Sequence, residues 1–207
     1  QRLGLAGKSE NGMTPHLLVM TATPIPRTLA LTVHGDLDVS ILDELPAGRS
    51  PVKTKLWSSR ERDKALQIAE QALERGEQVF VVCPIIEESE NIDVRAAQTV
   101  YEELSQRFLS HPVGLLHGRL VSEDKDLVME KFVRGEIKLL VTTTVVEVGV
   151  DVPNASVMIV DGADRFGLAQ LHQLRGRVGR SSIPSSCHLI ADPQSAESWE
   201  RLNVLER

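Results

Sequence analysis

The chain predicts an α/β fold built on a parallel sheet flanked by helices, and three observations carry that reading. Short β-rich runs alternate with amphipathic helical stretches from about residue 52 to residue 191. Several runs are apolar throughout, as parallel strands covered on both faces should be. A βαβα alternation of this kind closes into one sheet through right-handed crossovers. With 207 residues, 42% hydrophobic and 25% charged, the chain can bury roughly 70% of its unfolded surface.

The elements follow in order. Strand candidates occupy residues 52–57, 78–83, 113–116, 138–143, 156–161 and 186–191. Between the first two, Ala65, Ile68, Ala69 and Ala72 mark one face of a helix, behind a capping box of Ser58 and Glu61. Val94, Ala97, Tyr101, Leu104 and Phe108 step by 3, 4, 3, 4 along a second helix. Ser122 is placed to cap a third, which carries Leu127, Val128 and Phe132. The first fifty residues differ. Residues 1–14 read as loop, 17–20 as a short strand and 24–34 as a helix opening on prolines, and 43–51 carry two prolines and a glycine as a linker would. One strand is too little for a sheet, so a domain boundary falls near residue 50. Residues 1–50 read as the remnant of a preceding domain, and residues 51–207 as the main one.

The composition excludes several function classes. A net charge of −6 argues against a protein that coats polyanions. Aromatic residues make up 3% of the chain, too few for base-stacking platforms, so any nucleic-acid contact should fall on the backbone. No apolar run reaches the ~20 residues that span a bilayer, and no signal-peptide pattern opens the chain. Cys83 and Cys187 sit far apart in apolar runs, without metal-ligand spacing. They read as buried thiols of a reducing, cytoplasmic protein.

Against this acidic background, residues 165–180 hold four arginines and no carboxylate. Guanidinium stays charged and its planar fork suits phosphate oxygens. Gln170, Gln173, Arg177 and Arg180 step by 3, 4, 3 and would form one polar stripe on a continuous helix, with Leu168, Leu171, Leu174 and Val178 on the buried side. Gly176 and Gly179 interrupt it at about 1 kcal/mol each. Either the helix runs through them or they end it and leave Arg180 in the following loop. A second candidate is residues 142–153, leaving the strand at 138–143 by its C-terminal end, where ligands bind in open parallel sheets. Hydroxyls of Thr142 and Thr143 suit phosphate, and Asp151 suits a ribose hydroxyl. His117 and Gly118 stand just beyond the strand at 113–116. No complete phosphate loop is present. Gly7-Lys8-Ser9 imitates the end of one, but Arg2 stands where its first glycine belongs.

Taken together, these segments resemble the motifs of superfamily 2 helicases and translocases. Residues 173–180 (QLRGRVGR) match motif VI of that family. Residues 142–153 resemble motif V, His117-Gly118 motif IVa, and Thr21-Ala22-Thr23 motif III. The strings MTATPIPRTLA, DELPAGR, FVVCPIIEESE and LAQLHQLRGRVGR are similar to those of the RecG-type DNA helicases, across essentially the whole chain. The transcription-repair coupling factor shares the first and last strings, but DELPAGR and IEESE are not expected there.

The resemblance implies the second RecA-like motor lobe, with a short remnant of the first, from an ATP-dependent helicase that remodels branched DNA. It implies that Arg177 and Arg180 act as arginine fingers on ATP, with Gln173 positioning the phosphate. Gly149 and Asp151 would approach the nucleotide. His117, Gly118, Thr142 and Thr143 would meet the DNA backbone, and Thr21, Ala22 and Thr23 would couple the lobes. ATP and Mg2+ would be held mainly by the other lobe, so no cofactor or metal is expected on this chain alone, and the chain alone should be inactive. The expected partners are DNA and the first lobe and wedge domain of the same protein, in a bacterial cytoplasm and away from membranes. Glu147 and Val148 depart from the family, where alanine and arginine are common. The competing reading is a non-catalytic module that binds a nucleic-acid backbone or a partner.

Overall fold

The computed structural model describes residues 40, 51–84, 90–143 and 151–206, without the side chains of 90–93. The expected strand at 17–20 and helix at 24–34, the glycine-lysine pair near residue 7, Thr21, Ala22, Thr23 and Gly149 lie outside the described residues.

Six strands are found among the described residues: β1 (Lys53–Trp57), β2 (Gln78–Cys83), β3 (Val113–Leu116), β4 (Leu139–Thr143), β5 (Ala155–Val160) and β6 (Ser186–Ile190). They form one sheet in the order β1-β6-β5-β2-β4-β3. All five pairings are parallel. The helices are α1 (Arg62–Glu74), α2 (Glu90–Arg107), α3 (Ser122–Val133), α4 (Leu168–Arg175) and α5 (Ala196–Glu206).

The side-chain period of two along each strand sorts the core into two layers. Val79, Val81, Leu139, Val141, Val157 and Ile159 pack with Leu66 and Leu73 of α1 and Leu104 of α2. Their neighbours Phe80, Val82, Leu140, Met158 and Val160 point the other way, onto Phe132 of α3, Leu171 of α4 and Leu202 of α5. Continuous apolar runs were the signature of such double coverage, and β2, β4 and β5 are buried along their whole length. The edge strand β1 instead alternates, exposing Lys53 and Lys55. Charged edge residues discourage pairing with another chain.

Local chemistry sets the helix positions. The Glu61 carboxylate accepts from the Ser58 amide at 3.4 Å and from its hydroxyl at 3.0 Å. That capping unit opens a 3-10 turn, Ser59–Glu61, and the turn leads into α1. In α3 the expectation for Leu127 fails, because it is 48% exposed. The buried face is set by Phe132 with Val128 and Met129, and Leu127 lies about 140° of helical turn from Phe132. Ser122 is the first residue of α3, and the preceding Val121 takes the cap position. Beneath α3 the buried Gln78 amide donates to the carbonyls of Phe132 and Ile137, which ties the α3–β4 turn to β2.

Candidate nucleotide and nucleic-acid site

The arginine segment is shaped by where α4 stops. Gln170 Oε1 accepts from the Gly167 amide at 2.9 Å and fixes the start of the helix. Gly176 closes it, its amide donating to His172 O at 3.1 Å. A Cβ on Gly176 would lie 3.3 Å from Gln173 O, closer than ordinary contact. The next turn tightens, Arg177 N donating to Leu174 O at 2.9 Å. Gly179 then takes φ +72°, which turns the chain out of the helix. The continuous stripe over Gln170, Gln173, Arg177 and Arg180 is therefore not formed. Gln170 and Gln173 are on α4, Arg177 is in the turn, and Arg180 is in the loop. Leu171, Leu174 and Val178 are buried as expected, whereas Leu168 is 40% exposed.

The four arginines separate by environment. Arg175 Nη2 lies 3.1 Å from His172 Nδ1, on its own helix. Arg165 is exposed on the 3-10 turn Ala163–Arg165. Arg180 folds back, its Nε donating to Gly176 O at 3.3 Å and its Nη1 to Asp151 Oδ1 at 3.4 Å. Arg177 is half-buried, and its guanidinium makes no hydrogen bond or ion pair among the described residues. Burial first, and then the neighbouring Arg180 charge, hold the Arg177 guanidinium below its ordinary pKa. Two like charges therefore sit close together on a rim, with the exposed Asp151 carboxylate beside Arg180. Such a rim accepts an anion with several oxygens. Gln173 is exposed on the last turn of α4 before it.

A second cluster lies where β3 and β4 end side by side. The register places Leu116 beside Thr142, so His117 and Gly118 leave the sheet next to Thr143. Thr142 and Thr143 are buried, at 1% and 4% exposure, so among the described residues the surface at this end belongs to the His117 turn. Leu120 N closes that turn by donating to His117 O at 3.2 Å. His117 Nδ1 is buried and has no hydrogen-bond partner among the described residues. Burial, then the charges of Lys125 and Arg119, push its pKa down and keep the ring neutral. Gly118 is exposed with open space around its Cα, and its carbonyl accepts from Lys125 Nζ at 2.8 Å. Lys125 was missed in the sequence reading. Its signal was the spacing of two helical turns between the His-Gly pair and a lysine in the first turns of the next helix.

A cleft of about 500 Å³ among the described residues lies elsewhere, over the C-terminal ends of β2, β5 and β6, between Cys83, Asp161, Gly162, Arg165 and Asp192. Asp161 there is engaged by Arg62 Nε at 3.1 Å. Among the four arginines it takes in Arg165 alone.

A doubly wound parallel sheet with paired arginines after α4, and with polar groups at the ends of β3 and β4, defines a RecA-like lobe of a nucleic-acid motor. Residues 63–182, which contain both clusters, match the helicase conserved C-terminal domain, and the chain belongs to that family. It is 49% identical over 208 residues to the ATP-dependent DNA helicase RecG of Synechocystis, covering 100% of this chain and 25% of that protein. To RecG of Bacillus subtilis it is 51% identical over 195 residues, 94% of this chain and 29% of the relative. The chain thus spans under a third of the length of these relatives. The solved structure of RecG bound to a three-way DNA junction superposes with a TM-score of 0.76 at 45% identity, over 89% of this chain and 24% of that one. Domain 2 of the DEAD-box helicase Mss116p, bound to an RNA duplex, shares the fold at a TM-score of 0.60 and 20% identity, over 75% of this chain and 60% of that one.

Proposed function

We propose that this chain is the second motor lobe of a RecG-type ATP-dependent DNA helicase acting on branched DNA. In this reading residues 51–207 form the lobe, and residues 1–50 carry the end of the first lobe with its linker. The observation that carries the proposal is the Arg177–Arg180 pair, in which the Arg177 guanidinium is half-buried without a partner among the described residues and Arg180 stands beside it. Like charges held together are relieved by an anion placed between them. The triphosphate of ATP is the anion that such a motor brings to this edge.

ATP bound with Mg2+ supplies the transferable phosphoryl group. Arg177 and Arg180 neutralise charge that develops on its oxygens, a contribution worth ~10³–10⁵ in rate in other nucleotide hydrolases. Gln173, on the helix that leads into the pair, orients the phosphate. Asp151 accepts from the ribose, and Gly149 lets the nucleotide approach. On the other cluster, main-chain amides of the His117–Gly118 turn and the ends of β3 and β4 bond a DNA backbone, which positions the strand without reading its sequence. With Thr142 and Thr143 buried, their share falls to the main chain. Thr21, Ala22 and Thr23 couple nucleotide state to lobe movement.

The test is Arg180→Ala in the intact helicase containing this sequence. ATP turnover should fall about a thousandfold or more, with nucleotide binding nearly unchanged. Turnover at the unsubstituted rate refutes the finger assignment. Loss of DNA affinity with hydrolysis intact, for Arg177 and Arg180 variants alike, favours the non-catalytic binding module.

A further inference from the structure

The Asp151 carboxylate has two claims on it. It lies 3.4 Å from Arg180 Nη1, and under the proposed function it receives the ribose of ATP. We infer that Asp151 is a latch on the arginine finger: it holds Arg180 until a ligand that offers phosphate and ribose hydroxyls together takes both partners. This deepens the motor-lobe reading and rests on it.

The geometry supports an exchange rather than a fixed strut. Arg180 is held at two points of its guanidinium. Nε donates to the Gly176 carbonyl at 3.3 Å, an anchor within the same turn. Nη1 donates to Asp151, 29 positions away in sequence. Loss of the second contact leaves the first, so the outer nitrogens can swing about Nε toward an incoming phosphate. The pair is also open to ligand, since the Arg180 side chain is 28% exposed and that of Asp151 58%. Exposed pairs of this kind are worth at most about fivefold in an equilibrium. A phosphate can therefore displace the carboxylate without distorting the fold. The displaced carboxylate is then left to water or to a new donor. Its partner Arg180 is by then engaged by the phosphate. The two hydroxyls of a ribose supply that donor, whereas inorganic triphosphate leaves the carboxylate to water.

The consequence is selectivity for nucleoside over inorganic triphosphate, with Asp151 acting as a positioning residue for Arg180. In the intact helicase, Asp151→Asn removes the charge and keeps the side-chain volume. The inhibition constant of inorganic triphosphate, measured in competition with ATP, should fall about threefold, because Arg180 is no longer claimed. The KM for ATP should rise about threefold, because the ribose loses an ionised acceptor. Asp151→Glu should restore the ordinary order of the two. Asp151→Ser repeats the Asn result should the Asn variant lose its thermal transition. A triphosphate constant that is unmoved, or that moves in the same direction as the KM for ATP, overturns the latch. If Arg180→Ala is inactive while that result holds, the latch alone fails. If Arg180→Ala retains full turnover, the finger reading fails and takes the latch with it.

Discussion

Trp57 donates its indole Nε1–H to His188 Nδ1 at 3.0 Å, which leaves the proton of the neutral ring on Nε2, 3.0 Å from Ser186 Oγ. The imidazole is 3% exposed. Burial, with a smaller push from Lys55, takes its pKa down from 6.5 to about 4. Because the folded value is the lower one, the unfolded chain binds the proton first as pH falls. The contribution is complete above pH 6.5, the unfolded value, and is lost progressively as pH falls to about 4. Its full size is on the order of 3 kcal/mol. His117, also shifted downward, acts with the same sign, whereas carboxylates such as Glu77 act below the ordinary carboxylate range. The urea midpoint of the 207-residue chain should therefore fall between about pH 6.5 and pH 4.5. His188→Gln should flatten most of that slope, and an unchanged slope would remove His188 as its source. None of this was legible in the sequence. Trp57 and His188 are 131 positions apart, and their meeting depends on β1 lying beside β6.

At the scale of the element, legibility tracks burial. The parallel strands announced themselves because coverage on both faces demands continuous apolar runs, and all six fall within a residue or so of the expected spans. The segment after α4 was harder, because helical spacing cannot say where a helix stops. Gly176 and Gly179 decide that, and they shape the site by ending the helix rather than by making room on it. Asp151 and Arg180 are both candidates from sequence, but their pairing depends on Asp151, just ahead of β5, lying beside the loop after α4. Gly179→Ala tests the role of this turn. A Cβ at φ +72° costs about 1–2 kcal/mol, measurable as a lower melting temperature of the chain. The redirected loop should also misplace Arg180 and lower kcat in the intact helicase by up to about a hundredfold. A stability loss with kcat unchanged would mean that the arginine finds its place without the turn.

For the molecule as a whole, charge and half-site geometry make one joint prediction. The chain carries 23 basic and 29 acidic side chains, so attraction to DNA must come from local groups. At the His117 turn those groups are Arg119 and Lys125, while His117 itself is neutral. Two cations at about 0.9 each predict that log affinity for duplex DNA falls against log salt with a slope near −2. The proposed hydrolytic half is equally local. The arginine rim can neutralise charge on a phosphoryl group, but among the described residues no group of three His, Cys, Asp or Glu could hold a metal ion, and the sequence holds no complete phosphate loop. Stabilising a transition state requires that the triphosphate first be gripped in line with its attacking water, and a pair of guanidiniums on an open rim does not supply that grip. The purified 207 residues should thus bind duplex DNA weakly and with a shallow salt slope, and should release no phosphate from ATP above background, with or without DNA. A slope steeper than about −5 would reveal a basic surface beyond the His117 turn. DNA-stimulated phosphate release by the chain alone would mean that its own residues hold the triphosphate, and the half-site assignment would have to be abandoned.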